Sequence, residues 1–206
     1  MDAALATAGN PTAPSYGYMV SNEGEPSTTL WENWYADQLV DDQDDSSRNH
    51  IMFGTISAFF WKYIVGVTSL SPGWTSIKVA PEFGERCNVT TAVAPPSKRW
   101  LSTVSATLGT ASGTLSVHWK LGETMAELNT TLPSKVDSVE VWVPCVMASS
   151  IVQVAGVVVW RDGEFVHSAS PCVQHAERAS VPGASVRFVM QPSSACANLA
   201  FRRVLQ

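Results

Sequence analysis

Two hydrophobic regimes divide the chain. From Ile51 to Val65 apolar side chains fall on nearly every side of a helical projection, leaving Thr55, Ser57 and Lys62 as the main polar positions. This spacing predicts a helix from His50 to about Val65, with Asn49 as N-cap and Gly66 as the C-terminal stop. A helix that is apolar all round needs neighbours on several sides. A membrane crossing fits poorly, because Lys62 near the middle of the run would cost about 2.5–3.5 kcal/mol in a bilayer.

Residues 1 to about 27 are rich in Gly, Pro, Ser and Thr and read as an extended entry segment with no helix. The run Asp41-Asp42-Gln43-Asp44-Asp45-Ser46-Ser47 reads as a solvated acidic loop, since it lacks the glycine and terminal glutamate of a calcium loop. After Ser71-Pro72-Gly73 the pattern changes to short alternating runs split by turn residues. These predict strands near 75–80, 102–108, 114–121, 124–131, 138–143, 151–160, 164–167, 185–190 and 198–204. Thr110-Ala111-Ser112-Gly113 and Arg161-Asp162-Gly163 read as hairpin turns. Many strands with no helix between them indicate an antiparallel β-sandwich or jelly roll. The expected organisation is therefore α+β and multidomain: a helical part over 1–72 and a sandwich over 73–206.

Composition narrows the partners. The formal net charge is −5, from 13 basic and 18 acidic residues. The basic residues are scattered, so the footprint of a nucleic-acid binder is missing. Cys87, Cys145, Cys172 and Cys196 form no CxxC pair and have no histidine at zinc spacing, so neither a metal nor a cofactor is expected. Their even number allows two disulfides. Together with the sequons Asn88-Val89-Thr90 and Asn129-Thr130-Thr131 this is compatible with a secretory route. The N-terminus, Met1-Asp2-Ala3-Ala4-Leu5-Ala6, lacks a basic n-region and a sustained apolar h-region, so it does not read as a signal peptide.

The chemistry concentrates in Thr28-Thr29-Leu30-Trp31-Glu32-Asn33-Trp34 and Ser47-Arg48-Asn49-His50. Glu32 lies between two indoles, whose faces exclude water and stack on the C–H faces of sugars. A carboxylate so placed suits general acid or base work at a glycosidic bond. His50 is suited to donating to a sugar hydroxyl. The plain alternative is a hydrogen-bonded Glu beside tryptophans that only pack, with His50 serving local backbone groups. No Ser/His/Asp arrangement and no Gly-rich phosphate loop is present.

These two segments, with Gly17-Tyr18-Met19, Ile51-Met52-Phe53-Gly54 and Pro72-Gly73-Trp74, resemble the end of the catalytic domain of bacterial and fungal α-L-rhamnosidases, glycoside hydrolase family 78. Ile77-Lys78-Val79-Ala80-Pro81 and Gly113-Thr114-Leu115-Ser116-Val117-His118-Trp119 resemble the opening of that family's C-terminal sandwich. The likeness is close to about residue 144 and thins beyond. It implies the end of an (α/α)6 barrel followed by the sandwich, and an inverting hydrolysis of terminal α-L-rhamnose from a rhamnose-containing glycoside. Glu32 is then the general base and His50 a contact to bound rhamnose, while Trp31 and Trp34 line or brace the pocket. The family's general acid lies on barrel segments upstream of this stretch, and none of Glu23, Glu25, Asp37 or the loop aspartates matches it. The chain is thus expected to carry the base without the acid, and to be inactive alone. The competing expectation is a non-catalytic carbohydrate-binding or structural sandwich with residues 1–72 as a docking arm.

Overall fold

The computed structural model describes residues 2–38, 46–82, 101–122, 125–144, 146, 150–166, 170–178, 186–190 and 193–205. Two compact units are formed, Met1–Phe60 and Trp61–Gln206.

The first unit opens with helices α1 (Asp2–Gly9) and α2 (Tyr16–Ser21), so the expectation of a helix-free entry segment is corrected. Alanines at 3, 4, 6 and 8 with Leu5 supply strong helix propensity, while Pro11 and Pro14 punctuate the link between helices rather than excluding them. Ser15 caps α2, its hydroxyl accepting the Tyr18 N–H at 2.8 Å. The helices approach closely at Gly17, where a Cβ would lie 2.6 Å from the Asn10 carbonyl oxygen. Asn22 closes α2 by donating to the carbonyls of Tyr18, Met19 and Glu25 at 3.0–3.3 Å. The unit's core is Met19, Trp31 and Ala36, with Leu30, Trp34 and Phe53 packed against it.

The expected helix from His50 is shorter than its apolar pattern. Residues 52–55 form turns, α3 covers Ile56–Phe59, and a π-helical turn follows over Phe60–Val65. The N-cap position is Thr55 rather than Asn49; the Asn49 N–H donates to the Ser47 hydroxyl and the His50 N–H to the Leu30 carbonyl. The stop is at Gly66, with φ +81°. Ile51 is 89% exposed, Met52 55% and Phe60 41%, so part of the apolar circumference is left open by the described residues.

The second unit contains two sheets. β1 (Val67–Ser69), β2 (Ser76–Val79), β6 (Ser138–Val143), β11 (Val186–Met190) and β10 (Val173–Arg178) form one, in that spatial order. β3 (Thr103–Thr110), β4 (Gly113–Leu121), β5 (Met125–Thr131), β12 (Asn198–Leu205), β7 (Ser150–Val154), β8 (Val157–Arg161) and β9 (Glu164–Phe165) form the other. Pairing is antiparallel except between β2 and β6. Alternation explains the layers: Leu115, Val117, Trp119 and Leu121 of β4 are buried while the residues between them are not. Phe188 of the first sheet meets Phe201 of the second at 5.6 Å between ring centres. Trp119 donates its indole N–H to the Ile64 carbonyl at 2.8 Å, tying the end of the π turn to the sandwich core.

The run read as one strand over 151–160 is a hairpin, turned by Ala155 and Gly156 at φ +50° and +82°. Two strands were not anticipated: β1 continues an apolar run already assigned to the helix, and β10 is polar at four of six positions. A disulfide joins Cys172 to Cys196, 24 residues apart. Cys87, Cys145 and the sequon at Asn88 lie outside the described residues. Across the five-stranded sheet Arg187 bridges Glu140 at 2.5 Å and Glu177 at 2.8 Å, holding both carboxyls below the usual range and its own pKa above normal. Arg203 of β12 is fully buried, and burial pushes it down to about 10.

Candidate active site

Two stretches of the first unit come together through backbone hydrogen bonds. The Glu32 N–H donates to the Ser47 carbonyl at 2.9 Å and the His50 N–H to the Leu30 carbonyl at 2.8 Å, an antiparallel pairing reinforced by the Thr29 hydroxyl donating to the Arg48 carbonyl. Trp31 anchors this pairing, being only 2% exposed in the core. The adjacent Glu32 side chain, by contrast, keeps 37% of its surface open.

Each oxygen of that carboxylate has a distinct setting. Oε2 accepts the Ser47 N–H at 2.8 Å. Oε1 faces His50 Nε2 at 4.0 Å. On the other side of the imidazole, Nδ1 accepts the Met52 N–H at 3.0 Å, so in the neutral ring the proton sits on Nε2, the nitrogen turned toward Glu32. At 4.0 Å the two groups are too far apart for a direct hydrogen bond, and a single oxygen atom, from water or a sugar hydroxyl, can bridge them. A proton acceptor and a proton donor therefore address one point in space.

The tryptophans differ from each other. Trp31 is enclosed, with the Arg48 guanidinium 5.9 Å from its ring centre and Arg48 Nε 3.4 Å from Glu25. Trp34 is half-buried and stacks on Phe53 with ring centres 3.8 Å apart and planes at 23°, while Tyr16 meets it edge-on at 5.1 Å. Burial raises the Tyr16 phenol above its ordinary value, and its hydroxyl donates to the Phe53 carbonyl at 2.8 Å. Tyr18 donates to Asp37 and accepts from Gln38 at 2.8 Å, and the hydrogen bond to the Asp37 carboxylate is what chiefly raises its pKa. Sequence reasoning missed the supporting roles of Ser47, Arg48, Tyr16 and Phe53. The run Ser47-Arg48-Asn49-His50 was the available signal, but a backbone N–H donor leaves no mark in side-chain chemistry. Among the described residues no group of three or more His, Cys, Asp or Glu could hold a metal ion.

Residues 1–64 match the model of the bacterial α-L-rhamnosidase six-hairpin glycosidase domain, and residues 66–157 that of the bacterial α-L-rhamnosidase C-terminal domain. Both models point to the C-terminal part of an α-L-rhamnosidase. An α-L-rhamnosidase of Alteromonas sp. (strain LOR) is 26% identical over 130 residues, 62% of this chain and 12% of that protein. The structure of the α-L-rhamnosidase from Dictyoglumus thermophilum superposes with a TM-score of 0.66 at 24% identity, over 95% of this chain and 18% of the other. That of the Streptomyces avermitilis enzyme, solved with L-rhamnose, superposes with 0.67 at 21% identity, over 98% and 16%. The chain thus spans about 12% of the length of the curated relatives it matches. The helical stub followed by antiparallel sheets is the rhamnosidase architecture, a six-hairpin barrel end leading into a β-sandwich.

Proposed function

We propose that this segment supplies the general base of an inverting α-L-rhamnosidase acting on terminal α-L-rhamnose of glycosides. The observation that carries the reading is the convergence of Glu32 Oε1 and His50 Nε2 at 4.0 Å from positions 18 residues apart in sequence. Ser47 holds Oε2 and leaves Oε1 to take a proton. In the reaction a water on the face of the sugar opposite the leaving group gives that proton to Glu32 as its oxygen attacks the anomeric carbon. His50, with its proton fixed on Nε2, donates to a rhamnose hydroxyl. Burial of Trp31 and the Trp34–Phe53–Tyr16 stack support bracing as the route by which both tryptophans serve the sugar site.

Inversion needs a second carboxyl group about 6.5–9.5 Å from the first, with its proton ready for the leaving oxygen. Glu25 is paired with Arg48 and Asp37 with Tyr18, which fits a general acid supplied by another part of the barrel. The chain alone is then without turnover. In a protein that carries residues 1–206 with the remainder of the barrel, Glu32→Gln lowers kcat by about 10²–10⁴-fold while rhamnose affinity stays within a few-fold. His50→Ala weakens affinity first. Undiminished kcat in Glu32→Gln removes the carboxylate from the base role, and unaltered affinity in His50→Ala returns the imidazole to local structure.

A further inference from the structure

The outward face of the seven-stranded sheet holds a feature that the catalytic reading does not use. Along β3, β4 and β5 the register aligns Ser105 with His118 and His118 with Asn129. One pleat further on it aligns Ser116 with Thr131, and Thr131 with Asn198 of β12. Side chains on one face of neighbouring strands stand side by side about 4.8 Å apart. The result is a two-row grid of hydroxyl, amide and imidazole groups.

The grid is hollow. A depression of about 280 Å³ lies over it. A second of about 270 Å³ adjoins, lined by Glu127, Gln153, Gly156 and Arg202, and the two share Asn129 and Ala200. Ala200 makes the depth, because on β12 it stands between Asn198 and Arg202 on the same face, with a methyl group where its neighbours carry long side chains. Within the grid only the second row is satisfied internally, Thr131 donating to Asn198 at 2.9 Å. Ser105, His118 and Asn129 make no side-chain hydrogen bond among the described residues.

Charge decides the ligand class. The grid holds no Asp, Glu, Lys or Arg side chain. The flanking row of the same face carries Lys120, Glu127 and Arg202, of which Arg202 and Glu127 pair at 2.8 Å. Over the grid itself an anion or a cation would find no Asp, Glu, Lys or Arg beside it, and the one aromatic residue of the lining, Phe201, is only 1% exposed and offers no anchor of the kind a protein partner uses. A neutral ligand with many hydroxyls fits, since each side chain in the first row offers both or either of a donor and an acceptor. We infer that this face of the sandwich is an accessory binding surface for a neutral oligosaccharide, two sugar residues long, lying across β4, β5 and β12 over Ala200. The surface stands on its own geometry. Only the choice of a rhamnosyl sugar as its occupant rests on the proposed function.

The test titrates the full 206-residue chain with the neutral disaccharide rutinose, followed by ligand-observed NMR, with digalacturonate as the anionic counterpart. Wild type is expected to bind rutinose weakly, with a Kd near 1 mM (about −4 kcal/mol), and digalacturonate at least about fivefold more weakly. Ala200→Trp fills the hollow from an exposed position and abolishes binding. Asn129→Ala weakens it about fivefold, the loss of one hydrogen bond. Both retain the wild-type unfolding midpoint. In the double variant Glu32→Gln with His50→Ala, which removes the contacts proposed for the catalytic site, the binding that Ala200→Trp abolishes is still present. The inference is overturned by absence of rutinose binding at 20-fold the expected Kd (~20 mM), by binding that survives Ala200→Trp, or by preference for digalacturonate. Binding lost in the double variant but kept in Ala200→Trp places the sugar at Glu32, which overturns the inference and leaves the catalytic reading standing.

Discussion

Gly66→Ala is expected to be among the most damaging single-methyl changes in the chain. Gly66 ends the π turn with φ +81° and passes the chain into β1. A Cβ there would lie 2.2 Å from Pro81 N and 2.4 Å from both the Ala80 carbonyl carbon and Pro81 Cα. All three are backbone atoms of the partner strand's continuation, so no side chain can rotate away. An L-residue in the left-handed region costs about 1–2 kcal/mol. Relieving the overlap requires a backbone shift of roughly 1 Å, which breaks the Ala80 N–H to Gly66 carbonyl bond of 2.7 Å, worth about 1 kcal/mol net, and disturbs the packing around it. Alanine recovers about 0.4–1 kcal/mol through the unfolded chain. These terms leave about 2 kcal/mol, and with roughly 1 kcal/mol for the disturbed packing the net loss is about 3 kcal/mol, at the upper end of ordinary point mutations. Gly73→Ala is the matched control: φ is +72° and nothing lies within 4 Å of its added methyl, so only the conformational cost of about 1 kcal/mol remains. Urea unfolding of the full chain followed by tryptophan fluorescence measures both. A gap of about 2 kcal/mol corresponds to a midpoint difference near 1 M at a slope of about 2 kcal/mol/M. Equal midpoints for the two variants would refute the close approach.

Removal of the Cys172–Cys196 bridge by paired serines frees a loop of 24 residues and is expected to cost about 3 kcal/mol from chain entropy, read as a lower midpoint that reducing agent does not lower further. Arg187→Met is expected to lower the urea midpoint only slightly at pH 7, since both of its ion pairs are partly exposed. Glu140 and Glu177 have folded-state pKa values below the usual 4.5, so their contribution is whole above that value and fades as pH falls through the lowered ones. The gap between Arg187→Met and wild type should therefore close in acid, and a gap unchanged at pH 2 would contradict the pairing.

Legibility followed local chemistry. Strands β4, β5, β6 and β11 were readable because strict alternation, one face buried, writes the pleat into the side chains. β10 escaped, since Gln174, His175, Glu177 and Arg178 present polar groups on an edge strand. The single span over 151–160 hid a turn because Ala155 adopts positive φ without being glycine or asparagine. Helix α1 was missed for the opposite reason: its alanines carry propensity but no amphipathic pattern. The apolar run from Ile51 misled at its start, where the pairing of His50 with Leu30 overrides helical spacing. That same pairing builds the site. Glu32 and His50 were visible as candidates, but the backbone donors of Ser47 and Met52, which orient both groups, are tertiary features with no side-chain signature.

Glu32 is the group proposed to activate water. The most direct measurement is azide rescue of Glu32→Ala in a protein bearing this segment and the rest of the barrel, with the product's anomeric configuration read by NMR. Loss of hydrolysis, recovery with azide, and a rhamnosyl azide of inverted configuration are the predicted result. Hydrolysis persisting without azide, or a rescued product of retained configuration, would contradict it.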